Sequence, residues 1–152
     1  MKRLGISALV VSLLLLVGCD PGIAIRQSGA RQRGIDKAGD GGELSLQVLQ
    51  YRTLAYSSIY APRITITNRS EAELTIERME LVTRQGVYSS DDRASGGWSF
   101  VLKPNASADL EHLFNLAAPL HDTFKKPAEL RVYYRIGTIE KAVTTNLIAA
   151  SR

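Results

Sequence analysis

Between residues 43 and 152 the chain repeatedly sets one apolar residue against one polar residue, and this period of two limits what it can fold into. The cleanest series is Leu130, Val132, Tyr134 and Ile136, opposed by Arg131, Tyr133 and Arg135. Successive side chains of a strand point to opposite faces, so the series predicts a strand with one buried face. Leu44, Leu46 and Val48 behave the same way, as do Ile64 and Ile66. Leu74 and Ile76 continue, after a phase slip that predicts a bulge, into Met79 and Leu81. Trp98, Phe100 and Leu102 form another series, then Ala108, Leu110, His112 and Phe114, and a last run covers Ile139 to Ile148. Asn68-Arg69-Ser70, Gln85-Gly86, Pro104-Asn105 and Gly137-Thr138 supply turns between the runs. Residues 115–128 leave room for one helical turn, limited by Pro119 and Pro127. Seven or eight short strands predict an all-β domain built as an antiparallel sandwich, with a small β-barrel as the alternative.

The N-terminus is of another kind. Lys2 and Arg3 precede an apolar run from Leu4 to Val17. A basic start and a short apolar stretch are the layout of a secretory signal, here residues 1–18. The run is shorter than the roughly 20 residues a membrane-spanning helix needs. It ends in Leu16-Val17-Gly18-Cys19, which resembles the lipobox of bacterial lipoproteins. The resemblance implies cleavage before Cys19, a diacylglyceryl group on its thiol and a domain on the periplasmic side of the cell envelope. Two or more acyl chains hold a protein stably on a membrane where one does not. Asp20 resembles the residue that retains enterobacterial lipoproteins in the inner membrane, and so tilts the expected location that way.

Charge and cysteine content narrow the classes further. The chain carries 19 basic and 15 acidic residues. Two of the basic residues belong to the signal, and no basic stripe with interleaved aromatics appears, so nucleic-acid binding is disfavoured. A single Cys excludes a disulfide framework. Residues 19–42 hold Cys19 followed by a segment with six Gly and only Ile23, Ile25 and Ile35 as large apolar residues. That composition predicts a flexible tether, because it buries too little surface to offset the entropy of ordering. As a coil it would span roughly 25–30 Å. The β domain is then residues 43–152.

Ile64-x-Ile66-x-Asn68-x-Ser70 followed by Leu74-x-Ile76 resembles the first core hairpin of bacterial immunoglobulin-like domains. Leu102-x-Pro104-x-x-Ser107-x-x-Leu110 resembles a later turn of the same group. The resemblance implies an immunoglobulin-like sandwich without the disulfide of antibody domains.

Chemistry-bearing clusters are sparse. His112 sits among apolar neighbours and His121 beside Asp122. Neither has the spacing of a zinc site, and no nucleophile elbow or phosphate cradle occurs. Asp91-Asp92 lacks the alternation of a calcium loop. Glu71, Glu73, Glu77 and Glu80, with Arg69, Arg78 and Arg84, read as pairing on an outer sheet face. The expectation is therefore no enzyme, no metal and no cofactor. Tyr51, Tyr56 and Tyr60, with Tyr133 between Arg131 and Arg135, are the candidate contact residues, since Tyr and Arg dominate binding hot spots. Segment 113–120 is a second candidate patch. Together these features predict a membrane-anchored binding or scaffold module for another envelope protein, docking through such a patch or through an edge strand at 43–49 or 139–148. A component of a secretion apparatus is the alternative, because small β-sandwich lipoproteins resemble the outer-membrane anchor of type VI systems. Asp20 argues against it.

Overall fold

The computed structural model describes residues 22–34, 42–48, 52–90 and 99–149. Residues 1–18 (the expected signal), Cys19, Asp20, Tyr51, Asp91-Asp92 and Trp98 lie outside the described residues. In chain order the strands are β1 (Gly22–Gly34), β2 (Leu44–Val48), β3 (Arg52–Leu54), β4 (Ile59–Tyr60), β5 (Arg63–Asn68) and β6 (Leu74–Val82). They continue as β7 (Val87–Ser89), β8 (Phe100–Leu102), β9 (Ser107–Glu111), β10 (Phe114–Asn115), β11 (Ala128–Ile136) and β12 (Ile139–Ala149), with one short helix, α1 (Leu120–Thr123), before β11.

These strands form antiparallel sheets that do not close into a barrel. The larger sheet runs β3-β1-β12-β11-β6-β7, with β8 also on β6. The smaller runs β2-β5-β9, and β4 and β10 pair as a separate ribbon. The orders β2-β5-β9 and β6-β11-β12 are those of strands A-B-E and C-F-G in an immunoglobulin-type sandwich. The expected alternation sets the packing. Leu130, Val132 and Tyr134 of β11 are fully buried, with Leu74, Ile76, Met79 and Leu81 of β6 beside them. Leu44, Leu46, Ile64 and Ile66 join the same core from the smaller sheet. Burying each of these side chains stabilises the fold by roughly 1.5–3 kcal/mol. The phase slip in β6 is a bulge: Tyr133 pairs with Arg78 but Tyr134 with Ile76, leaving Glu77 as the extra residue.

The turns follow from single residues. Asn105, at φ 56°, occupies the left-handed region that Asn tolerates better than most residues. Asn68 is fully buried. Its amide donates to the carbonyls of Ala72, Leu102 and Lys103, and its oxygen accepts from Ser70 N–H and Oγ. One side chain thus pins the β5–β6 turn to the β8–β9 turn.

Two expectations are corrected. Residues 22–34 are not a tether but a strand, paired with β12 from Ile25↔Ala149 to Gly34↔Lys141. The composition argument weighed side-chain burial alone. Ile25 is fully buried, and β1 is held through main-chain pairing, Gly22–Ala24 with β3 and Ile25–Gly34 with β12, which needs no apolar side chains. The strands also number twelve among the described residues, against seven or eight expected. The excess is β1 and short pieces such as β3, β4 and β10.

Candidate functional site

The tyrosines singled out by composition part company. Tyr60 is 1% exposed, so it is a core residue and not a contact residue. Its ring lies against Phe114 at 6.3 Å and Phe124 at 5.0 Å, and burial pushes its hydroxyl pKa far up. The cause is the pleat: Tyr60 and Phe114 are opposite partners in the β4–β10 ribbon and both turn inward, which sends Ile59 and Asn115 outward. Tyr56 is 62% exposed. Its ring meets His121 edge-on at 5.1 Å, and the main chain of His121 donates to Ala55 C=O at 2.9 Å. Segment 113–120 closes the end of the core, with Phe114, Leu116 and Leu120 buried and Leu113 exposed.

Tyr133, Arg131 and Arg135 belong to an ion-pair lattice on the outer face of the larger sheet. Arg78 lies over the Tyr133 ring at 3.7 Å, and Tyr133 Oη donates to Glu80 at 2.9 Å. Arg131 pairs with Glu129 at 2.7 Å and Arg135 with Glu77 at 2.6 Å. Of the acids expected to pair with Arg69, Arg78 and Arg84, Glu77 instead pairs across strands with Arg135, and Glu80 pairs with Arg78 along the same strand. His112 is half-buried with its ring 4.6 Å from Phe114, and burial holds its pKa below the ordinary imidazole value.

The edges differ from expectation. The run 139–148 is no edge, because β12 lies between β1 and β11. Strand β2 has β5 on one side, and on the other its main chain bonds to the side chain of Gln27. Gln27 Nε2 donates to Leu46 C=O at 2.9 Å, and Gln27 Oε1 accepts from Val48 N–H at 3.1 Å. The amide occupies the β2 edge as one residue of a parallel strand would. A register shift at Ser28, between Gln27 and Gly29, accompanies this contact.

Strand β9 is the edge that the sequence reading missed. It pairs with β5, and no strand borders its other side among the described residues. Asn68 N–H donates to Ala106 C=O at 2.9 Å, which sets the ladder phase. Ala108 and Leu110 then turn their main-chain groups toward β5, and Ser107, Asp109 and Glu111 turn theirs outward. The side chains of those three residues are held across the pair, by Thr67, by Thr65 at 2.6 Å and by Arg63 at 2.6 Å. A sequence signal existed, in the facing polar series Arg63, Thr65, Thr67 and Ser107, Asp109, Glu111, but the partner of β5 could not be read from it.

The chain matches no protein-family model and no curated protein sequence.

Proposed function

We propose that this chain is a lipid-anchored protein of the bacterial cell envelope, held through Cys19, whose sandwich serves as a non-catalytic binding module for another envelope protein. The lipobox Leu16-Val17-Gly18-Cys19 supports the anchor. The observation that carries the binding role is the β9 edge. It presents outward main-chain groups at alternate residues on a preformed strand, which an extended segment of a partner can join by strand addition. The opposite edge of that sheet, β2, is already occupied by Gln27, so β9 is the favoured strand of the smaller sheet.

The test is capture from solubilised membranes with wild type and Asp109→Pro. Proline at residue 109 removes an outward N–H and leaves the main-chain bonds to β5 in place, at the loss of the exposed side-chain bond from Thr65. Capture that is lost in Asp109→Pro while the circular dichroism and melting curve persist supports strand addition. Equal capture by both proteins, or capture by neither, refutes it. Incorporation of labelled palmitate into wild type and Cys19→Ala tests the anchor separately, and label that persists in Cys19→Ala overturns it.

A further inference from the structure

We infer that the end of the sandwich carrying the start of β1 rests directly on an anionic bilayer surface, with Leu54, Tyr56 and Val87 entering the interface and Lys126 and Arg84 facing lipid phosphates. The inference rests on the lipid anchor proposed above. Only Asp20 and Pro21 separate Cys19 from Gly22, the first residue of β1. Three residue steps reach at most about 11 Å. The folded domain therefore cannot stand clear of the membrane, as a free segment of residues 20–42 would allow.

Strand directions define what lies at that end. Because the neighbours are antiparallel, the start of β1, the end of β12, the start of β11, the end of β6 and the start of β7 lie together. Gly22 pairs with Leu54, and the bond from His121 N–H to Ala55 C=O brings α1 to the same place. Leu54 is 54% exposed, Tyr56 62% and Val87 60%. Lys125 and Lys126, just before β11, and Arg84, in the β6–β7 hairpin, are exposed there too. The nearby acids are already engaged, Asp122 by Lys125 and His121, and Glu129 by Arg131. At the opposite end, just before β6, Glu71 and Glu73 are exposed beside Arg69 and Lys103, and among the described residues no exposed large apolar cluster like that of Leu54 and Tyr56 lies there. Tyrosine at headgroup depth, flanking aliphatic side chains and basic side chains near phosphates are the composition that an interfacial contact requires. The same surface would gain nothing from facing bulk water.

The experiment uses lipidated full-length protein on vesicles of phosphatidylethanolamine and phosphatidylglycerol. With Cys19 acylated, a single new thiol takes an environment-sensitive fluorophore in turn at Leu54→Cys, Tyr56→Cys, Val87→Cys and, at the far end, Ile139→Cys. The expected result is a blue shift and quenching by doxyl-labelled lipid at the first three positions and neither at Ile139→Cys. Quenching should weaken on vesicles of neutral lipid and with Arg84→Glu/Lys126→Glu. Protein that floats with vesicles while all four labels stay aqueous overturns the inference and leaves the anchor standing. Protein that does not float, or palmitate label in Cys19→Ala, overturns the anchor and the inference with it. A blue shift that appears without vesicles and grows with protein concentration assigns the patch to a second copy of the chain and overturns the membrane contact.

Discussion

Lys141 Nζ donates to both carboxylate oxygens of Glu43, at 2.9 and 2.8 Å, joining the last strand to the residue just before β2. Lys141 is 5% exposed, and Tyr134 Oη, donating to Glu43 at 3.3 Å, closes the group. A buried ion pair is not strong evidence of stability, since desolvation offsets much of the attraction. Breaking it is another matter. Glu43→Gln leaves an ammonium without its counter-charge and is expected to cost about 3 kcal/mol. Glu43→Gln/Lys141→Met should recover most of that. Urea midpoints of the single and double variants measure the difference.

Gln27→Leu keeps the bulk of the side chain but removes both bonds to β2. The expected loss is about 1–3 kcal/mol, because Leu46 C=O and Val48 N–H are left without their partner. The uncovered edge also becomes a template for pairing between molecules. Light scattering of wild type and Gln27→Leu at equal concentration should show association in the variant alone.

Asn68→Asp should be nearly as harmful as Asn68→Ala. A carboxylate still accepts from Ser70 but cannot donate to Ala72, Leu102 and Lys103. Each variant is expected to lose about 2–3 kcal/mol, the cost of buried groups without partners. Thermal unfolding compares the two, and a much milder Asp variant would count against the role of the three donated bonds.

Burial lowers the pKa of His112 in the folded protein, so the unfolded chain binds its proton more readily. Stability therefore rises with pH across this titration. The contribution of neutral His112 is complete above the ordinary imidazole value, near 6.5, and is lost as the pH falls from there toward the lower folded-state value. Urea midpoints between pH 5.5 and 7.5 should slope less in His112→Phe than in wild type.

The strands that face one core were legible in the sequence because their pattern is a direct copy of the pleat. Leu130, Val132 and Tyr134 alternate with Arg131 and Tyr133, and they are buried and half-buried in that order. The bulge in β6 was legible as a slipped phase for the same reason. Strand β1 was not, because what orders it is the main chain of a strand at the far end of the sequence. Tyr60 misled because aromatic type was taken for exposure, when its place opposite Phe114 decides which way it points. The candidate edge was hidden for a related cause: which strand of a sheet lacks a neighbour depends on the whole topology. Cys19 and Asp20 are local signals and lie outside the described residues, so their reading rests on the motif alone.

The pairing of β1 with β12 has a temporal consequence. A strand early in the sequence finds its neighbour in one far later, since Ile25 lies opposite Ala149. Contacts between such distant parts of a chain form late and slowly. During synthesis, Gly22–Ala24 can already meet β3, while the stretch from Ile25 to Gly34 waits unmatched until β12 emerges. A product cut short before Ile139 could never complete it, and its first strand would remain available to a protease or a chaperone.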